Sequence, residues 1–154
     1  MRCVDVNVLV HAHRPESPQH ADYRRWLDEA RLGGEPLGVS ATVSSGFVRI
    51  VTHPRIFKEP TPLGVALDFL DALRDSPATV PVLPGSRHWQ IFTDLCRRLD
   101  AKGNTIPDVF VAAEAIEQGA TWMSADRGFA GFPGLRWRHP LDVDPPGSRP
   151  SAAQ

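Results

Sequence analysis

The sequence predicts an α/β domain in which a central, mostly parallel sheet is flanked by helices on both faces. Three observations predict it. Short β-branched or apolar runs at residues 4–10, 37–39 and 121–125 alternate with longer stretches of helical periodicity. Those stretches open at capping residues, twice with proline next, and several close at glycine. The 154 residues, 42% of them hydrophobic, are enough for one sizeable core, which predicts one domain.

Residues 4–10, Val-Asp-Val-Asn-Val-Leu-Val, alternate with period two, predicting a first strand with Val4, Val6, Val8 and Val10 on one face and Asp5 and Asn7 on the other. Ser17 and Pro18 supply an N-cap and a first-turn proline. Tyr23, Trp26, Leu27 and Ala30 then recur at helical spacing until Gly33 and Gly34. Residues 37–39 read as a short strand. Ser40 caps a helix striped by Val43, Phe47, Ile50 and Val51, which Pro54 ends. Thr61 and Pro62 repeat the cap-plus-proline signal for a helix reaching Arg74. Pro81 confines the strand at residues 79–83 to a sheet edge, because proline donates no ladder hydrogen bond.

Ser86 is read as the cap of a helix with Phe92, Leu95, Cys96 and Leu99 on one face, closed by Gly103. Pro107 starts a helix over residues 108–118, closed by Gly119, ahead of the strand at 121–125. Trp26, Phe47, Phe92, Phe110 and Trp122 fall at core-like positions and are expected to be buried. The domain is expected to cover residues 1–141. Residues 142–154, rich in Pro, Gly and Ser, are expected to form a disordered tail.

Seventeen Lys and Arg against eighteen Asp and Glu give a net charge of −1, which excludes a protein held to nucleic acid by bulk positive charge. Any such substrate must be gripped locally. Cys3 and Cys96 have no metal-ligand spacing, and no signal-like segment precedes the first strand, so a cytoplasmic protein with two free thiols is expected. No apolar run approaches the roughly 18 residues of a membrane span. Dinucleotide, P-loop and serine-hydrolase motifs are absent. His11 and His13, placed on one strand face, suggest zinc only in a barrel of about 250 residues; polar residues beyond a strand end account for them.

Three aspartates carry the functional argument. Asp5, inside an apolar strand, is costly to desolvate unless a partner or metal compensates it, or unless it lies exposed at an edge. Asp108 sits in the first turn of a helix, where capping alone accounts for it. Asp126 directly follows a strand, where turn residues are common. Ligands of parallel sheets gather at the carboxyl ends of strands, where these three can converge. Clustered carboxylates repel one another and call for a hard cation, Mg²⁺ or Mn²⁺, whose chemistry with water suits phosphodiester hydrolysis.

Val4-Asp5-Val6-Asn7-Val8-Leu9 resembles the opening strand of PIN domains. Pro107-Asp108-Val109-Phe110-Val111-Ala112-Ala113 resembles their helix bearing a later acid, and Ser124-Ala125-Asp126-Arg127-Gly128-Phe129 their closing acidic motif. Ser45-Gly46-Phe47-Val48-Arg49, residues 52–57 and Phe132-Pro133-Gly134-Leu135-Arg136-Trp137 are similar to VapC-type toxins of mycobacteria. The resemblance covers residues 1–141 and implies a PIN-like α/β/α sandwich. It further implies a Mg²⁺- or Mn²⁺-dependent endoribonuclease in which Asp5, Asp108 and Asp126 hold the metal and carry catalysis. The resemblance makes Asn7 and Ser124 polar support; separately, adjacency to Asp126 makes Arg127 a candidate contact for an RNA phosphate. The partners it implies are an RNA substrate, a second copy in a homodimer, and a VapB-type antitoxin whose segment covers the cleft. One departure stands out: Gly46 occupies the position of the usual second-helix glutamate. Either an acid such as Glu114 compensates, or the fold binds RNA or antitoxin with little catalysis.

Overall fold

The computed structural model describes residues 1–142. Its elements run β1 (Arg2–Val4), α1 (Val6–His13), α2 (His20–Leu32), β2 (Leu37–Ser40), α3 (Ala41–Val51), α4 (Leu63–Arg74), β3 (Thr79–Val82), α5 (His88–Arg98), α6 (Thr105–Glu117), β4 (Thr121–Met123), a short 3-10 helix (Arg127–Gly131) and β5 (Arg136–Arg138). The strands form one sheet in the order β3-β2-β1-β4-β5, and every neighbouring pair is parallel. The expected single α/β domain is what the chain forms.

The strand order places β1 at the centre. From β1 the chain builds outward through β2 to β3, then returns to place β4 on the other flank of β1. The crevice between the carboxyl ends of β1 and β4 is therefore the topological switch point, the usual ligand position in such sheets. The strands are three or four residues long, so residues immediately after them already lie at that edge. Pro81 does sit on an edge strand, opposite Val39.

The first predicted strand is corrected. The strand ends at Val4, Asp5 is the extended N-cap, and residues 6–13 form α1. The Asp5 carboxylate accepts the Val6 backbone N–H at 2.6 Å and caps the helix. Val8, Leu9 and Ala12 form its buried stripe, with helical spacing. Burying that stripe against α2 and α3 outweighs the strand preference of the valines, which is a weak prior against tertiary packing. The arrangement removes His11 and His13 from a common face: two residues apart, they point about 200° apart around a helix. His13 packs edge-on against Phe47 and Phe69, away from His11.

Other differences are local. Ser40 caps α3 as expected, accepting from Val43 N at 3.2 Å. Thr61 does not cap α4; its hydroxyl accepts from Arg14 at 2.9 Å and pairs with His13 at 3.1 Å. Ahead of α5, the Glu117 carboxylate accepts from Gly85 N at 2.7 Å and Arg87 N at 2.8 Å, in place of a cap by Ser86. That helix ends at Arg98, before Gly103, and α6 begins at Thr105, before Pro107. Phe47 and Trp122 are fully buried, whereas Trp26, Phe92 and Phe110 are partly exposed. β5 and the 3-10 helix carry no periodic signal and were not predicted. The tail expected from residue 142 falls, from residue 143 onward, outside the described residues. No helix among the described residues is long and apolar enough to cross a membrane.

Gly38 lets β1, β2 and β3 pack closely: a Cβ there would lie 2.6 Å from Val82 Cγ2 and 2.8 Å from Cys3 Sγ. Gly38→Ala is expected to destabilise the protein by about 1–3 kcal/mol, since the overlap exceeds the roughly 0.5–1 kcal/mol gained by replacing glycine. An unchanged urea midpoint would show that the strands separate at no cost.

Candidate active site

The site begins at the end of β1. Asp5 N donates to Met123 O of β4 at 3.0 Å, so the two strands remain paired to their carboxyl ends. The Asp5 side chain is buried and fully engaged: Oδ1 accepts from Val6 N, and Oδ2 accepts from Asn7 Nδ2 at 2.9 Å and from Ser124 Oγ at 2.5 Å. Ser124, fully buried after β4, is the hub. Its hydroxyl also accepts from Asn7 Nδ2 and from Asp126 N, each at 3.0 Å. Asn7 Oδ1 accepts from Ala125 N at 3.0 Å. A buried polar group needs such partners, and these bonds tie the start of α1 to the loop carrying Asp126.

Asp126 caps the 3-10 helix, with Oδ1 accepting from Gly128 N at 2.8 Å, and its side chain is exposed. Asp108 arrives from the first turn of α6 and is half-buried. Asp5, Asn7, Asp108 and Asp126 line one cleft of about 310 Å³, together with Val6, Val10, His11, Ile50 and Phe129. Three carboxylates from distant parts of the chain thus share one opening at the switch point. A larger trough of about 800 Å³ runs along the outer face of α2 past Ala21, Arg25 and Leu32. It is open and built from a single helix with its flanking glycine, so it offers no convergent chemistry.

Burial pushes the Asp5 carboxyl up to about 6, against the opposing hydrogen bonds from Ser124 and Val6, and the negative charges of Asp108 and Asp126 push it further the same way. Asp108 is also raised, by desolvation first and by Asp126 second. These shifts describe a pocket of mutually repelling acids that a cation would relieve. The donors are carboxylate and amide oxygens, the set that hard ions such as Mg²⁺ and Mn²⁺ take. As the side chains stand, no group of three or more His, Cys, Asp or Glu among the described residues is close enough to hold one ion. The acids share a cleft without yet sharing a point.

Two side chains weighed from the sequence do not line this cleft. Arg127 turns outward, donating to Asp142 at 3.0 Å with its guanidinium 5.9 Å from the Trp137 ring centroid. Glu114 is buried in the core beside Cys3, Ser40 and Trp122; burial raises its carboxyl, with a Ser40 hydrogen bond opposing. It does not replace an acid at position 46. Gly46 lies behind Val6, whose Cγ2 would meet a Cβ there at 2.9 Å. The sequence reading leaves His11 as a polar residue beyond a strand end, whereas it lines this cleft; helical spacing from Asn7, at i and i+4, is the signal for it.

A parallel-sheet domain with an acidic cleft at its switch point defines the class, and the comparisons give the family. The PIN domain family matches residues 2–135. The chain is 53% identical to ribonuclease VapC43 of Mycobacterium tuberculosis over 142 residues, 92% of this chain and 97% of that protein. It is 38% identical to ribonuclease VapC25 of the same organism over 140 residues, 91% and 99% of the two chains. Among solved structures, VapBC2 from Rickettsia felis bound to a DNA fragment from its promoter matches with a TM-score of 0.67. The identity there is 17%, over 90% of this chain and 97% of that one, a likeness of fold. The chain belongs to the PIN-domain family, among the VapC-type toxins.

The raised Asp5 value fixes the sign of a pH effect. Between its ordinary value of 3.8 and about 6, the folded protein holds a proton that the unfolded chain has released. Asp5 therefore favours folding less as pH rises through this window, and above it costs about 3 kcal/mol relative to low pH. In EDTA, Asp5→Asn is expected to gain stability over wild type from pH 4 to pH 7, read from paired urea titrations. A difference that stays flat with pH would mean that Asp5 carries no such penalty.

Proposed function

We propose that this chain is a Mg²⁺- or Mn²⁺-dependent endoribonuclease and the toxin of a type II toxin–antitoxin pair. The observation that carries this reading is the convergence of Asp5, Asp108 and Asp126 on one cleft at the switch point. The relatives' own description as ribonucleases supports the activity. Solved VapBC and FitAB complexes with this fold support a VapB-type antitoxin as partner. A homodimer and a cytoplasmic location complete the proposal.

In this reading Asp5, Asp108 and Asp126 are the metal-holding and catalytic carboxylates. Asn7 and Ser124 are positioning residues: through Ser124 Oγ they hold Asp5 and the Asp126 backbone in fixed relation. A bound Mg²⁺ or Mn²⁺ would lower the pKa of an attacking water and offset charge on the phosphodiester. Asp5 is anchored, whereas the exposed Asp126 carboxylate has room to adjust toward a cation shared with Asp5. Arg127 belongs to the supporting set by its adjacency to Asp126 and must leave Asp142 to reach a phosphate. The nuclease domain of this reading spans residues 1–141.

Antitoxin-free protein incubated with total RNA is expected to give discrete fragments with Mg²⁺ or Mn²⁺ and none with EDTA. Asp5→Asn and Asp126→Asn should each abolish them. Intact RNA in every condition, from protein shown to be folded, would replace this reading with that of a binding protein.

The Val6–Gly46 contact also sets an expectation. Gly46→Glu alone should leave Mn²⁺ affinity within about twofold, because Val6 occupies the approach to the cleft. Adding Val6→Ala should tighten binding by about tenfold, as expected for one more oxygen ligand of the right charge. Calorimetric titration compares them; equal affinities for the single and double variants would remove Val6 as the obstacle.

A further inference from the structure

The acidic cleft has a second wall that its carboxylates do not explain. Val10, Ile50 and Phe129 line it with His11, the only imidazole among the lining residues. His11 lies one helical turn beyond Asn7, about 6 Å along the α1 axis. Its ring is held in place, stacked on buried Tyr23 with centroids 4.7 Å apart and planes 23° apart, and the Tyr23 hydroxyl meets His139 Nε2 at 3.3 Å. Burial, and after it the His139 ring, lower the basicity of His11. The imidazole is neutral at neutral pH.

Its two nitrogens differ. Nδ1 is sealed from solvent with no hydrogen-bond partner among the described residues. A buried lone pair is less costly than a stranded N–H, so the proton belongs on Nε2, which makes that nitrogen the ring's donor. One wall therefore gathers negative charge that calls for a cation and a phosphate. The other offers apolar side chains and one neutral donor, a poor seat for a phosphate and a good one for a flat ring with an acceptor on its edge.

We propose that His11 is a substrate-contacting, specificity-determining residue. The base of a nucleotide flanking the scissile phosphodiester packs against Val10 and Ile50 and accepts a hydrogen bond from His11 Nε2. The inference rests on the ribonuclease reading and adds to it a preference for a base presenting a carbonyl oxygen or bare ring nitrogen at that edge, since a base presenting an amino group there leaves the donor unpaired.

The experiment is steady-state cleavage of a randomised single-stranded RNA pool with Mg²⁺ by wild type, His11→Phe and His11→Gln, with the cut sites sequenced. His11→Phe keeps an aromatic ring on Tyr23, and its melting temperature is measured alongside. Loss of one neutral hydrogen bond should raise KM about three- to tenfold, more than it lowers kcat. It should also flatten the base preference at one position beside the cut. His11→Gln, which restores an N–H near the place of Nε2, should recover much of both. If wild type cuts the pool and His11→Phe shows the same KM and base preference, or the two variants are equally impaired, the subsite assignment is overturned while the ribonuclease reading stands. If folded wild type cuts total RNA but not the pool, the subsite assignment falls alone; if it cuts neither, both readings fall.

Discussion

The buried Asp5 carboxylate at the junction of β1 and α1 is the constraint on which the rest of the site depends. Its oxygens cap α1 through Val6 and bind the Ser124 hydroxyl beyond β4, so one side chain joins the two central strands at their carboxyl ends. Remove that junction and α1 loses its cap, Ser124 loses its acceptor, and the loop carrying Asp126 loses its register with the sheet. The carboxylate is held by three hydrogen bonds, yet its ionised form is still disfavoured, because burial and two neighbouring acids outweigh them. A purely structural cap could be Ser or Asn without that electrostatic cost.

The parallel sheet makes the convergence possible. Because β1 and β4 are adjacent and parallel though far apart in sequence, the residues that follow them emerge side by side. The first turn of α6 brings Asp108 to the same edge, where the helix N-terminus also tolerates negative charge. Val6 lines the opening, and behind it Gly46 of α3 leaves the space that the valine fills. The glycine is a packing choice coupled to α1, and Glu114, enclosed in the core beside Ser40, is no substitute for an acid there. The cleft is thus a three-aspartate cleft with an apolar flank, and the apolar flank belongs to the same design as the missing acid.

Much of this was legible in the sequence, for reasons that are local. The stripe Val43, Phe47, Val51 and the Ser40 cap specify α3, because helical spacing and a capping hydroxyl act within a few residues. Pro81 marks an edge strand because it lacks a donor. Asp5, Asp108 and Asp126 stood out because each is an acid at an element end, and the family motifs order them along the chain. The first strand was misread because Val-Asp-Val-Asn-Val satisfies period two, while the helix it forms depends on packing against α2 and α3. With that error went His11, whose place in the cleft exists only if residues 6–13 are helical.

The sequence by itself determined an α/β domain, its helices and the identity of the acids, since periodicity, caps and charge are properties of neighbouring residues. The tertiary structure decided what those residues do for one another. Ser124 is a hub only because β4 lies beside β1, Arg127 is engaged by Asp142, Gly46 is closed by Val6, and His11 lines the cleft with Nδ1 buried. Each of these is set by a contact between segments that only the folded sheet brings together, and so by burial and distance that no local pattern encodes.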